Sequence, residues 1–437
     1  MSVDPRDGAA GESATPDVML ARRLGTVDAV VVGLGAMLGA GIFAAPAPAA
    51  RAAGGWLPLA VLLAGFVAWC NATSTARLAA VFPRAGGTYV YAGRLLGGAW
   101  GHLAGWGFVV GKTASCAAMA LTVGAYAWPG RPRLAATIAL VAAVALGTGG
   151  VQRGVRLTRA TLSLTLVVLL LVVTAAVTGG GAGGAFVGPA AATAEGAGLL
   201  GVPTAAGLMF FAFAGYARVA TLGEEVREPA RTIPRAVSTA LLVAVAVYLA
   251  VTTAALWALG PVGLASATAP LAAVVSSRGW DVVLPLVRVG AVAASGGALL
   301  SLLLGVSRTA FAMARDGYLP RAMTSVRHGV PHRAELVVAV VVLALVWSVD
   351  LRGAIGFSSL AVLVYYLFAN LSARRLGVAA GAPPSWVTAV GAVGCALLAA
   401  TLPPAAVVTG LVVLGVGALV RVLVDRRHPP SRRATVR

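Results

Sequence analysis

Lys112 is the single lysine in a chain that carries 32 arginines, and it stands inside the apolar stretch Phe108-Val109-Val110-Gly111-Lys112-Thr113-Ala114-Ser115. A lysine can release its proton when desolvated, whereas an arginine keeps its charge. An ammonium among apolar side chains is costly unless carbonyl groups or an anion receive its N–H bonds. Lys112 is thus a candidate for chemistry in which protonation and ligand binding are linked. A lysine that snorkels, or that is simply satisfied by helix carbonyls, is the other reading of the same residue. Asp28 and Glu224 lie near the ends of apolar runs, and no carboxylate is expected at the depth of Lys112.

A second kind of chemistry needs only peptide groups. Gly33, Gly35, Gly39 and Gly41 fall within nine residues, ahead of Pro46 and Pro48. Each glycine costs up to about 1 kcal/mol against alanine in a helix interior. Close packing between membrane helices also uses glycine. The alternative is a helix that breaks near the middle of a bilayer, which is tolerated only against protein or a wet cavity. There the freed amides can hold a carboxylate and the freed carbonyls an ammonium or cation. Phe210-Phe211-Ala212-Phe213-Ala214-Gly215-Tyr216 is the counterpart, five apolar runs later.

The elements that must position these groups are the apolar runs themselves. The chain has 437 residues, 59% hydrophobic and only 11% charged, with a mean hydropathy of +0.91. Soluble domains carry about a quarter charged residues. Twelve runs stand out, at approximately 27–50, 56–81, 95–127, 134–149, 157–178, 200–223, 236–259, 283–306, 335–349, 353–372, 385–402 and 404–424. Most approach the roughly 20 residues that a helix needs to cross a hydrocarbon core of about 30 Å. With the N-terminus inside, 25 of the 33 basic residues fall on the cytoplasmic side. Five (Arg51, Arg131, Arg133, Arg278 and Arg352) fall outside, and Lys112, Arg218 and Arg288 lie within runs. That bias places both termini in the cytoplasm.

The net charge of +19 is scattered between apolar runs, which points to positive loops and away from a nucleic-acid partner. Cys70, Cys116 and Cys395 all fall inside apolar runs and offer neither a disulfide framework nor a zinc site. Residues 1–21 show no signal-peptide pattern and read as a disordered cytoplasmic tail. His102 reads as structural, and Ser295 and Ser301 as possible contributors to an ion site. No Ser–His–Asp set, metal cluster or phosphate-binding loop is present, so no enzyme, metal or cofactor is expected.

Four motifs then carry a resemblance. They are Gly39-Ala40-Gly41-Ile42-Phe43, the segment Phe82-Pro83-Arg84-Ala85-Gly86-Gly87-Thr88-Tyr89-Val90-Tyr91, the segment from Glu224 to Arg235, and Ala314-Arg315-Asp316-Gly317 within Arg308 to Pro320. In register over roughly residues 22 to 375, they resemble the amino acid–polyamine–organocation permeases. The resemblance implies an all-α polytopic membrane protein of about twelve transmembrane helices, a five-plus-five inverted repeat with discontinuous helices 1 and 6. The transport core would span 22–372, as halves of about 22–178 and 200–372, with helices 11 and 12 in 385–424 and a basic tail at 425–437. The implied ligand is an amino acid or related amine, its carboxylate on helix-one amides and its amine on helix-one and helix-six carbonyls. The residues expected around it are Met37, Gly39, Ala40, Gly41, Ile42, Phe211, Ala212, Phe213, Ala214 and Gly215, with Lys112 and Ser115 beside them.

Phe211 sits where relatives place an aromatic gate, and Glu224 and Glu225 fall in a cytoplasmic loop, Glu224 to Arg235, that the resemblance makes a structural or gating network rather than a substrate contact. Two devices of relatives do not transfer. The fifth run, from Leu157 to Val173, has no lysine, and Ala217 and Arg218 stand where some antiporters carry a glutamate. The expected function is secondary active transport by alternating access in the cytoplasmic membrane, with membrane lipid around it and a proton as coupling ion through Lys112. A membrane sensor or assembly subunit reusing the fold is the alternative.

Overall fold

The computed structural model describes residues 25–82, 86–148, 155–179, 198–220, 226–327, 330–376 and 382–427. Among these the secondary structure is helical, with one isolated backbone pair between Arg327 and Val330. Helices α1 (Thr26–Met37), α2 (Ala40–Ala44) and α3 (Pro46–Ala53) make up the first apolar run. They are followed by α4 (Leu57–Val81), α5 (Thr88–Leu95), α6 (Gly98–Ala127), α7 (Pro132–Thr148) and α8 (Val155–Thr178). The second half begins with α9 (Val202–Phe213) and α10 (Ala217–Ala220), then α11 (Pro229–Ser266), α12 (Pro270–Ser277) and α13 (Leu284–Arg315). It ends with α14 (His332–Ser348), α15 (Leu351–Arg374), α16 (Ser385–Ala400) and α17 (Pro404–Arg427).

Among the described residues, nine helical stretches are long and apolar enough to cross a membrane. The remaining apolar runs fold as the shorter helices α7, α14 and α16. Helices suit this solvent because each satisfies its own backbone. Hydroxyls are absorbed the same way: Thr75, Thr113, Thr122 and Thr165 each donate to the carbonyl four residues back.

Hydropathy alone misplaces some ends. Helix α11 begins at Pro229, ahead of the expected 236, because proline suits a first helical position. Helix α13 runs on to Arg315 through polar residues that no apolar window would include. Gly260 kinks α11 (φ 66°) just before Pro261. Proline has no N–H, so the Trp257 carbonyl four residues earlier loses its helical donor. Arg278 supplies one at 2.9 Å, and Arg352 reaches the Ala265 carbonyl beyond the kink at 2.9 Å.

The bundle is graded from centre to edge. The membrane-length windows of α6 and α15 are 78% enclosed by protein, against 11% for α17. Helix α17 turns Val408, Leu411, Val412, Val416 and Leu419 outward, the composition of a lipid-facing helix. At the other end, Asp28 on α1 pairs with Arg159 on α8. The three cysteines are buried free thiols.

Candidate functional site

The first apolar run is interrupted where its glycines cluster. Helix α1 ends at Met37, Leu38 and Gly39 leave the helical path, and α2 restarts at Ala40. The carbonyls of the last turn of α1 and the first amides of α2 therefore have no partner within their own helices. Pro46 opens α3 at its first position, with Pro48 in the same turn.

The counterpart in the second half is tightened rather than unwound. Helix α9 passes into one 3-10 turn, Ala214–Tyr216, and then into α10. This segment has a single glycine and no proline, so the Ala214 amide still bonds to the Phe210 carbonyl. The change of pitch nevertheless leaves the Ala212 and Ala214 carbonyls open to side chains from other helices.

The two interruptions touch. A Cβ placed on Gly41 would fall on the backbone of Ala212, and one placed on Gly215 would fall on the Ala36 carbonyl and the Met37 amide. Gly39 lies against Ala298 of α13, where a Cβ would come within 2.8 Å of the alanine methyl. Only glycine permits this approach of backbone to backbone.

Three helices send donors into the crossing. Tyr248 of α11 lies 2.6 Å from the Met37 carbonyl and 3.1 Å from the Ala212 carbonyl. Lys112 of α6 reaches the Ala214 carbonyl at 3.5 Å, and Tyr366 of α15 reaches the same oxygen at 3.5 Å. Lys112 is 7% exposed. A third tyrosine closes the far end: Tyr126 donates to the Phe43 carbonyl at 3.0 Å and accepts from the Leu271 amide at 3.2 Å.

The expected site residues distribute unevenly over this crossing. Met37, Gly39, Ala40, Gly41, Ile42, Ala212, Phe213, Ala214 and Phe211 are all buried at or beside the two interruptions, with Gly215 between them. Phe213 packs edge-on against Tyr248, with ring centroids 4.9 Å apart. Ser115 is engaged with α15, its hydroxyl 2.5 Å from that of Ser358. Ser301 bonds back to Gly297, whereas the buried Ser295 hydroxyl has no partner. Arg218 is exposed on α10. His102 contacts the Gly417 carbonyl at 2.9 Å and packs on Tyr318. Glu224 and Glu225 lie outside the described residues, as do Pro83, Arg84 and Ala85 of the second motif.

Sequence reasoning missed Tyr248, Tyr366 and Glu335. The tyrosines had a signal, since a phenol inside an apolar run needs a buried partner. Glu335 is fully enclosed at the start of α14, with neither carboxylate oxygen hydrogen-bonded.

Two interrupted helices crossing inside a bundle of membrane-length helices, their free carbonyls met by donors from three neighbours, define a membrane carrier architecture. The chain belongs to the amino acid permease family, whose model matches residues 28–426. An uncharacterized transporter of Mycobacterium tuberculosis is 53% identical over 97% of this chain and 95% of its own length. The branched-chain amino acid permease BcaP of Bacillus subtilis is 26% identical, covering 72% of each chain. Cationic amino acid transporter 4 of Homo sapiens is 28% identical over 86% of this chain and 62% of its own. All three relatives are named as transporters or permeases, and the chain is a permease by family.

Proposed function

We propose that the protein is a secondary active transporter that moves an α-amino acid, or a related amine, across the cytoplasmic membrane by alternating access. The observation that carries this is the crossing at Gly41–Ala212 and Gly215–Ala36, where peptide groups of both interruptions converge. Its carbonyls suit an ammonium, and the amides at the start of α2 suit a carboxylate. The arrangement is that of twelve crossings in two inverted repeats of five, about 22–178 and 200–372, with α16 and α17 appended. Both termini lie in the cytoplasm, and Phe211, Glu224 and Glu225 act as gates.

Charge narrows the substrate. Between Asp28 and Glu224 the sequence holds one carboxylate, Glu195, while Lys112 stands at the crossing. A cationic side chain would meet a like charge there, so a neutral amino acid of modest size fits better. Two relatives carry names that divide between branched-chain and cationic substrates, and the lining favours the former.

Coupling falls to Lys112. As an ammonium it holds the Ala214 carbonyl; on losing its proton it weakens that contact and leaves the carbonyl to the substrate. The test is uptake of radiolabelled L-leucine, L-alanine and L-arginine into proteoliposomes with and without an outward proton gradient, since the proton leaves Lys112 as the substrate is taken. A neutral amino acid should accumulate with the gradient, and Lys112→Met and Lys112→Arg should both lose the gradient's effect. Wild-type pH dependence in both variants removes the coupling role, and accumulation of L-arginine alone removes the neutral assignment.

A further inference from the structure

Tyr248 faces two acceptors with a single proton. Its hydroxyl lies 2.6 Å from the Met37 carbonyl at the end of α1 and 3.1 Å from the Ala212 carbonyl near the end of α9, and the residue is fully buried. A phenol has one O–H to donate, and a peptide carbonyl only accepts. The two bonds are therefore alternatives. Tyr126 shows the contrast: it donates to one backbone group and accepts from another, so both of its contacts hold at once. The Tyr248 ring is packed edge-on by Phe213, and its carbonyl accepts from Thr252 at 2.6 Å, which hold it in this place. A solute ammonium carries three N–H bonds and can serve both carbonyls together.

We infer that Tyr248 is a positioning residue that stabilises the unloaded, closed pairing of the two interruptions and yields its carbonyls to the ammonium of an incoming amino acid. This rests on the transport activity proposed above. The consequence is a division between two modes of transport. Net uptake requires the unloaded protein to close and reopen on the other side, through the pairing that Tyr248 stabilises. Exchange, with amino acid on both sides, keeps the protein loaded and bypasses it.

Tyr248→Phe retains the ring and its packing and removes the donor. In proteoliposomes supplied with L-leucine, L-alanine or L-arginine, net uptake by this variant should fall about tenfold, the scale of one buried carbonyl left without a donor. Exchange should continue with a KM several-fold lower, because the ammonium no longer competes with the phenol. Equal loss in both modes, or no change in either, overturns the inference. Should the variant fail to fold, 3-fluorotyrosine at 248 provides a stronger donor in nearly the same shape. The KM for exchange should then rise, and an unaltered KM overturns the inference equally. A wild-type protein that moves none of the three probes in either mode overturns the transport activity itself, and this inference with it.

Discussion

Gly41 and Gly215 show how little room the crossing leaves at single residues. The atom that a Cβ on Gly41 would meet belongs to the Ala212 backbone, which cannot turn aside as a flexible side chain would. Overpacking of this kind costs about 1–3 kcal/mol. Gly41→Ala should therefore lower the melting temperature in detergent and reduce transport. Gly296→Ala on α13 is the comparison, because nothing lies within 4 Å of its added methyl. It should leave the melting temperature unchanged, or raise stability by up to about 1 kcal/mol through helix propensity. Equal losses in the two variants would show that contact at the crossing is not what makes Gly41 sensitive. Lys112 has the same residue-scale character, since the role proposed for it depends on one nitrogen and the Ala214 carbonyl.

Among elements, α15 does more than fill space beside α6. Its Asn370 amide donates to Asn71 of α4 at 2.6 Å and to the Tyr366 carbonyl at 3.0 Å, while its oxygen accepts from Ser74 at 2.7 Å. Cys395 of α16 joins at the Asn71 oxygen, at 3.3 Å. One turn before Asn370, Tyr366 stacks on Tyr216 of the 3-10 turn and reaches the Ala214 carbonyl. The network thus ties α4 and α16 to the helix that braces the second interruption. Asn370→Leu would leave the buried Ser74 hydroxyl without its Asn370 acceptor and the Asn71 oxygen with only the weak Cys395 thiol donor, at about 1–3 kcal/mol for each lost bond. Its melting temperature should fall. Because removing both partners is less costly than removing one, the Asn71→Leu/Asn370→Leu double variant should be less destabilised than the sum of the singles. Additive losses measured by thermal unfolding would show that the two asparagines do not act as a pair.

For the whole molecule, the distribution of arginine makes a testable orientation. Cys70, Cys116 and Cys395 are buried, so a single introduced cysteine can report sidedness on the native background. Gly130, exposed between α6 and α7, lies beside Arg131, which the proposed topology puts outside, and Arg321, exposed after α13, lies in a segment that it puts inside. Gly130→Cys should react with a membrane-impermeant maleimide in intact cells, and Arg321→Cys only after permeabilisation. The reverse pattern would invert the topology without disturbing the fold.

Rarity and hydropathy are local properties, and what depends on them was legible without coordinates. The apolar runs specified helices, because a chain in lipid has no other economical way to satisfy its amides. The glycine cluster specified an interruption in the first run, and the lone lysine marked the α6 position that meets the second. Legibility failed where a residue's role depends on what lies opposite. Tyr248, Tyr366 and Asn370 announce only that they need a buried partner; tertiary packing decides that it is the Met37, Ala212 or Ala214 carbonyl, or Asn71. The second interruption was expected from its glycine and aromatics, but that it is a tight 3-10 turn lying against Ala36 and Met37 became visible only in the structure. Local sequence decides where a helix can stop; only the neighbouring helices decide which of the freed peptide groups acquires a partner, and from which side.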